Sequence, residues 1–120
     1  MMEFSKEQLE KAISLLSSTI ANCEKIQLKF SEGTSQHSLL KNRIKALYIS
    51  KALLSRDKTT NYTSKDFREA LPPIVSIINK TIKAQSKYEK GNPQFNRFQH
   101  IIQAMLISKT FIESQINSDT

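Results

Sequence analysis

The chain has 120 residues, of which 38% are hydrophobic, and it contains only two glycines and three prolines. This length predicts a single domain, residues 1–120, and the scarcity of turn-forming residues excludes collagen-like, linker-like and many-stranded β architectures. A net charge of +7 is compatible with a nucleic-acid, acidic-protein or other anionic partner, but it selects none of them.

The sequence also carries information about the compartment. A single cysteine excludes an intramolecular disulfide framework and favours a reducing environment. The chain has no run of about 18 apolar residues, and its start lacks the apolar segment of a signal peptide. We therefore expect a cytoplasmic protein with no membrane partner.

An internal duplication relates the two halves of the chain at an offset of 58 residues. Residues 8–54 align without a gap to residues 66–112, with 13 identities that include Gly33 with Gly91. We predict repeat 1 at about 5–56, a linker at 57–62 and repeat 2 at about 63–115. Each unit of roughly 50 residues is too small to bury a core of its own, so the two repeats should pack on each other.

The first repeat begins with a predicted helix near 5–32. Apolar residues recur there at steps of three and four, ending with Ile26 and Phe30. Ser5 with Gln8 is the pattern of a capping box at the helix start. Within this apolar stripe Cys23 is expected to be a small buried hydrophobe.

A turn and a second helix near 35–56 follow. Gly33 suits the left-handed conformation after a helix. The second helix is apolar on more than one face, as is the fourth helix described below, whereas a bundle helix needs one stripe. The surplus side chains are either covered by the third helix or exposed as a partner surface. This candidate partner surface consists of Tyr48, Leu53, Leu106 and Phe111.

The second repeat predicts helices near 63–90 and 93–115. Thr63 with Asp66 gives the cap signal, and the apolar stripe of the third helix includes Ile82 and Tyr88. Pro72-Pro73 should kink or break this helix, because proline removes a helical hydrogen bond and clashes with the preceding turn.

These elements predict an all-α protein, an up-down-up-down four-helix bundle made of two tandem-duplicated helical hairpins with the third helix kinked at Pro72-Pro73. Five helices result if Pro72 splits the third. The duplication further predicts that the turns at Gly33 and Gly91 lie side by side at one end of the bundle.

Most of the positive charge lies within about two helical turns of the hairpin connections, where nine Lys or Arg accompany three Glu. Lysines four residues apart share a helix face and repel each other, so these pairs do not serve local helix stability. A favourable interaction with the helix dipole explains the same charges without any ligand. The candidate polyanion-binding residues are Lys25, Lys29, Lys83, Lys87, Lys41 and Arg97.

Catalytic, cofactor-binding and metal-binding patterns are not found in the sequence. His37 and His100 do not coincide in the repeat, and with Cys23 as the only thiol there is no zinc-ligand spacing. No glycine-rich phosphate loop occurs. We expect a non-enzymatic protein with no cofactor and no metal, and no small-molecule substrate is evident.

The segment Gly33–Leu47, with Cys23–Gln27 before it, resembles small uncharacterised duplicated helical-hairpin proteins of Gram-positive bacteria and their mobile elements. The resemblance is best over the first hairpin, and the second hairpin matches as a diverged copy. No activity is known for that family, so the resemblance implies a bacterial cytoplasmic setting and assigns no residue roles.

Two functions therefore remain open. The first is a small helical protein–protein interaction module that uses the apolar surplus of helices two and four, either as a homodimer or with another protein. The alternative is binding of nucleic acid or another polyanion at the basic hairpin end. Steep salt dependence is typical of phosphate binding and would separate the two.

Overall fold

The structure is a computed structural model that describes residues 4–118, and within that range it consists of four α-helices without a strand. The all-α four-helix prediction is confirmed. The helices are α1 (Lys6–Gln27), α2 (Ser35–Leu54), α3 (Ser64–Gln85) and α4 (Pro93–Ser118).

Both repeats begin their first helix with the same capping box. The Ser5 hydroxyl accepts from the backbone N–H of Gln8 at 3.0 Å, and the Gln8 side chain accepts from the backbone N–H of Ser5 at 2.8 Å. Thr63 and Asp66 make the same reciprocal pair at 3.1 and 2.9 Å. Both predicted caps are confirmed, and their spacing of 58 residues extends the duplication to the helix starts.

The first helix of each hairpin ends five residues earlier than predicted. α1 ends at Gln27 and α3 at the equivalent Gln85, not near 32 and 90. Each glutamine donates from Nε2 to a backbone carbonyl ten residues further on, at His37 (3.5 Å) and Phe95 (3.2 Å) respectively. These bonds tie the end of one helix to the start of the next, so the chain turns back before the apolar stripe is finished.

As a consequence, the last apolar residues of each predicted stripe are outside the core. Phe30 and Tyr88 lie beyond the helices and are 37% and 39% exposed, while Ile26 and Ile82 in the last helical turns are 43% and 48% exposed. The four residues continue the apolar pattern of the sequence, but the core does not cover them. The spacing of these apolar residues is helical, but the stripe continues beyond the part of each helix that packs against the core.

Helix α3 runs without interruption through Pro72 and Pro73, so the described chain has four helices and not five. The two prolines remove the N–H groups that would bond to the carbonyls of Arg68 and Glu69. Both of those residues are exposed, so water can bond to the freed carbonyls. The helix therefore tolerates the pair without ending.

The two hairpins share one core. Helix α1 packs on α2 and α3 on α4, and the hairpins meet through contacts of α2 with α3, α1 with α4 and α2 with α4. Within the described residues α1 and α3 do not contact each other, which places α2 and α4 at the centre. Fully buried residues come in equivalent pairs, including Leu16 with Ile74 and Leu47 with Met105.

The two central helices carry small buried residues at equivalent positions. Ala46 and Ala104 are almost fully buried, and Ser50 and Ser108 have no exposed surface. Each serine hydroxyl donates to the carbonyl four residues earlier, at 2.9 and 2.8 Å, so no buried hydroxyl is left without a partner there. Small side chains are what a close approach of two helices requires.

The molecule is flat, with Cα extents of 41 × 40 × 22 Å. Helices of these lengths measure about 30–39 Å, so four nearly parallel helices would give only one dimension near 40 Å. The helices therefore cross at substantial angles. The side-by-side placement of the turns at Gly33 and Gly91 stays a prediction.

Candidate interaction sites

We call the turn end of each hairpin a tip. Tip 1 comprises residues 24–41, and tip 2 comprises the equivalent residues 82–99. In both tips a glycine adopts a positive φ just before the second helix, 87° at Gly33 and 92° at Gly91. A side chain at these positions would strain the backbone, which is why glycine is suited to both turns.

Tip 1 exposes four large apolar side chains. Leu28 is 87% exposed and Leu39 is 67% exposed, and Ile26 and Phe30 are the other two. The hydrogen bond between the end of α1 and the start of α2 holds Leu28 and Leu39 on adjoining segments of the same tip. Leu39 also lines a groove between α2 and α3. Large apolar side chains exposed within one short part of the fold are typical of an interaction surface.

The cations of tip 1 have no partner among the described residues. Lys25, Lys29 and Lys41 are exposed, and none makes an ion pair in the part of the chain that the structure describes. Glu24 lies beside them, and its carboxylate accepts a hydrogen bond from the Tyr48 hydroxyl at 3.2 Å, which raises the pKa of Tyr48. Tip 1 therefore combines apolar surface with free positive charge.

Tip 2 has the same backbone and a more polar surface. Ser86 and Arg97 occupy the positions of Leu28 and Leu39 in tip 1. The Tyr88 ring lies against the Phe98 ring with centroids 6.0 Å apart. The exposed cations of tip 2, which make no ion pair within residues 4–118, are Lys83, Lys87, Lys90 and Arg97.

The structure divides the candidate partner surface on helices two and four. Tyr48 and Leu106 are equivalent in the repeat and are 41% and 46% exposed. Leu53 and Phe111, which are also equivalent, are partly buried against the core. Phe111 stacks on Phe4 with ring centroids 6.1 Å apart. Half of this predicted surface thus covers the core, and half faces solvent.

Cys23 is buried in the core, as expected. Burial raises the pKa of its thiol, against an opposing effect of the Arg43 charge, so the thiol is not activated as a nucleophile. Within residues 4–118 no group of three or more His, Cys, Asp or Glu side chains is placed to hold a metal ion. None of the described helices is long and apolar enough to cross a membrane.

Two grooves between the hairpins are equivalent in the repeat. One lies between α1 and α4 with a volume of about 300 Å³, and the other lies between α2 and α3 with a volume of about 530 Å³. Ala12 and Ile107 line the first groove where Ala70 and Ile49 line the second. The two grooves are therefore equivalent features of the two repeats.

The two grooves differ in how their polar groups are satisfied. The α2/α3 groove contains an ion pair between Lys45 and Asp66, with Nζ and Oδ1 2.9 Å apart. The backbone N–H of Thr63 and the Lys45 ammonium lower the pKa of Asp66 to about 2, and the Asp66 carboxylate raises the pKa of Lys45. The equivalent residues of the α1/α4 groove are the uncharged Gln103 and Gln8.

The α1/α4 groove contains a polar atom that the sequence did not single out. His100 Nδ1 is buried and has no hydrogen-bond partner. His100 is half-buried in the second turn of α4, where it lines this groove. Only the pairing of α1 with α4, which is not visible in local sequence patterns, creates its surroundings.

We compared the chain with the sequence profiles of known families, with curated proteins and with solved structures, and none of them matches. The resemblance to duplicated helical-hairpin proteins of Gram-positive bacteria stays a prediction.

Proposed function

We propose that this protein is a non-enzymatic interaction module that binds an acidic, partly apolar segment of another protein through tip 1. The observation that supports the proposal is the coincidence of exposed apolar side chains with unpaired lysines in tip 1. Leu28 and Leu39 supply the apolar part and Lys25 and Lys29 the charge. The interaction surface is thus assigned to a hairpin tip and not to the outer faces of helices two and four.

The energetics favour an amphipathic partner over a purely charged one. Burial of a fully exposed leucine side chain contributes about 1.5–3 kcal/mol, whereas an ion pair at an exposed rim contributes about 0–1 kcal/mol. Affinity would therefore come mainly from Leu28 and Leu39. The lysines would set the association rate and the preference for acidic partners.

A second copy of the chain is the less favoured partner. Each copy carries a net charge of +7, which opposes association of two copies, and within tip 1 the three lysines outnumber the two glutamates, Glu24 and Glu32. We expect a monomer in sedimentation velocity at physiological salt. A dimer that persists in the Leu28→Ser, Leu39→Ser variant would instead assign the self-association surface to Tyr48 and Leu106.

Binding of nucleic acid or another polyanion is the second candidate, and tip 2 is the observation that favours it. Four unpaired cations surround that turn, and a serine and an arginine replace the two most exposed leucines of tip 1. A phosphate backbone would be bound mainly by charge, and its affinity would fall steeply with salt.

Three fluorescent probes of equal net charge test the proposal by anisotropy. The first is a peptide that combines Glu with Leu and Phe, the second is poly-Glu, and the third is single-stranded DNA. Each is titrated at two salt concentrations. We expect the amphipathic peptide to bind more tightly than poly-Glu or DNA and with a shallower salt dependence.

Two matched pairs of variants make the result specific. Leu28→Ser with Leu39→Ser should weaken binding of the amphipathic peptide at least about tenfold, while Leu106→Ser, which removes exposed apolar surface outside tip 1, should not. Removal of the four tip lysines (Lys25, Lys29, Lys83 and Lys87 to Gln) should weaken all acidic probes. Removal of four distant lysines (Lys6, Lys58, Lys65 and Lys109 to Gln) should weaken them less.

Equal binding of all three probes, unaffected by the leucine variants, would contradict the proposal and favour polyanion binding. Absence of binding at low salt would contradict both candidates. The tip lysines would then serve the helix dipoles and solubility alone.

A further inference from the structure

We propose that the α1/α4 groove binds a small apolar carboxylate of the medium-chain fatty-acid class. This site is separate from the tips and does not depend on the function proposed for them. The proposal rests on three features of the groove: its apolar walls, its unpaired cation and its buried imidazole nitrogen without a partner.

The walls of the groove suit a short hydrocarbon chain. Phe4 and Leu15 face the groove from the N-terminal side, and Leu106 and Ile107 face it from α4. Small-molecule sites are concave, mostly apolar and usually about 300–1,000 Å³ in volume. At about 300 Å³ the groove lies at the small end of this range, so it would accept a medium-length chain and not a large ring system.

The polar groups of the groove suit a carboxylate. Lys11 lines the groove, is exposed and makes no ion pair within the described residues. The buried Nδ1 of His100 lacks a hydrogen-bond partner, which is costly for a buried polar atom. A carboxylate in the groove could accept from the Lys11 ammonium. His100 Nδ1 has no accessible surface as placed, so it could donate as well only if the imidazole turned towards the groove, in the tautomer that carries its proton on Nδ1.

Other polar groups of the groove are already engaged or are neutral. The Gln8 side chain belongs to the capping box of α1, and the Thr110 hydroxyl donates to the Leu106 carbonyl at 3.0 Å. Gln103 is exposed at the groove and uncharged. Among residues 4–118 no Asp or Glu lines this groove, so a bound carboxylate would meet no like charge from the described lining.

The equivalent α2/α3 groove provides an internal control. Glu69 occupies the position of Lys11, and Asn42 occupies that of His100. The Lys45 ammonium there is engaged by Asp66. The α2/α3 groove is lined by two carboxylates and by three cations, Arg43, Lys45 and Lys80. A single carboxylate there would meet charges of both signs, whereas the α1/α4 groove offers one cation and, among the described residues, no carboxylate, so the α1/α4 groove is the better match.

Titration of ¹⁵N-labelled protein with decanoate, decanol and acetate, each below its aggregation concentration, tests the proposal. Decanoate should shift the amide signals of residues 4–15 and 100–110 and leave the α2/α3 groove unchanged. Decanol lacks the charge and acetate lacks the chain, so both should bind at least about tenfold more weakly.

The double variant Lys11→Gln, His100→Asn should lose most of the preference for decanoate over decanol, and it introduces at position 100 the residue found in the other groove. The single variant Lys11→Gln changes only an exposed residue, so it tests the role of the Lys11 charge even if the double variant does not fold. Glu69→Gln and the Leu28→Ser, Leu39→Ser pair should leave decanoate binding unchanged.

The proposal is overturned if decanoate and decanol bind equally, if the shifts map to the tips or appear equally in both grooves, or if millimolar decanoate causes no shift. It is also overturned if Lys11→Gln leaves the preference for decanoate intact.

Discussion

Asp66 combines a structural and an electrostatic role at the start of α3. It closes the capping box with Thr63 and pairs with Lys45, and these interactions lower its pKa from 3.8 to about 2. Since the folded-state pKa is lowered, the stabilisation is present above pH 4 and is lost as the pH falls towards 2. We predict that wild-type protein loses more stability over this interval than the Asp66→Asn variant does.

Urea unfolding at a series of pH values measures this difference. The equivalent cap of α1 offers the control, because its third residue is the neutral Gln8. Gln8→Ala should lower the free energy of unfolding by a similar amount at every pH. Parallel pH profiles for wild-type and Asp66→Asn would contradict the prediction.

Arg56 holds a conformation that suits glycine better. It follows α2 with a φ of 57°, while its backbone N–H and that of Asp57 bond to the carbonyls of Leu53 (3.1 Å) and Ala52 (2.9 Å). This is the Schellman pattern, whose left-handed residue is usually glycine. The left-handed conformation costs a non-glycine residue about 1–2 kcal/mol, more than the 0.4–1 kcal/mol or so that glycine adds through unfolded-state entropy.

We therefore predict that Arg56→Gly raises the free energy of unfolding by about 0.5–1 kcal/mol in chemical denaturation. Gly33→Ala is the reverse experiment. No atom lies within 4 Å of a Cβ added at Gly33, so its φ of 87° is the only source of strain, and the variant should lose about 1 kcal/mol. An unchanged or lower stability for Arg56→Gly would show that the Arg56 side chain makes a compensating contribution.

At the scale of the helix, the duplication allows the prolines of α3 to be compared with the equivalent residues of α1. Pro72 is exposed inside α3, and the equivalent residue in α1 is the exposed Ser14. Proline costs about 3 kcal/mol relative to alanine in a helix interior, partly offset by its effect on the unfolded chain. Pro72→Ala should therefore stabilise the protein by about 1–2 kcal/mol, and Ser14→Pro should destabilise it by about 3 kcal/mol.

Denaturation midpoints of both variants, compared with wild-type, test this expectation. If Pro72→Ala destabilises the protein, the prolines set a bend that the packing of α3 needs. In that case Ser14→Pro would still measure how much a proline lowers the free energy of unfolding in α1, a helix that contains no proline.

The sequence predicts the helix starts and the turns correctly because the residues that form them are close together in the chain. Each capping box and each glycine turn is carried by residues within a few positions of each other, and the structure contains both kinds of feature at equivalent positions of the two repeats. The ends of α1 and α3 could not be predicted, because the apolar pattern continues through Ile26 and Phe30 although no partner covers them. The groove around His100 could not be predicted either, because it forms only when α1 packs beside α4, and the two helices are about 90 residues apart in sequence.

At the scale of the molecule, the repeat preserves the interior and diverges at the surface. Ser50 and Ser108 keep the same buried hydrogen bond, and Gln27 and Gln85 keep the same link across their turns. The exposed positions have changed: leucines in tip 1 correspond to a serine and an arginine in tip 2, and a lysine in one groove corresponds to a glutamate in the other. Two copies of one scaffold thus present four chemically different surfaces.

Folding of the two hairpins should be interdependent. The core is one cluster to which all four helices contribute, and α2 and α4 contact each other at its centre. A separate hairpin would expose Leu47, Leu54 or their equivalents Met105 and Ile112 to water, and a unit of this size buries too little surface to offset its conformational entropy. We predict that residues 1–57 and residues 58–120, made as separate peptides, lack a cooperative thermal transition.

Circular dichroism of each peptide and of their equimolar mixture measures this dependence. The mixture should show more helix than the sum of the two separate spectra and should regain a cooperative transition, because each hairpin supplies the surface that the other lacks. The Ser108→Leu form of the second peptide is the control, since a large side chain at a fully buried position should prevent reassociation. Cooperative melting of either peptide alone as a monomer would show that a single hairpin is a complete folding unit and that the shared core is dispensable.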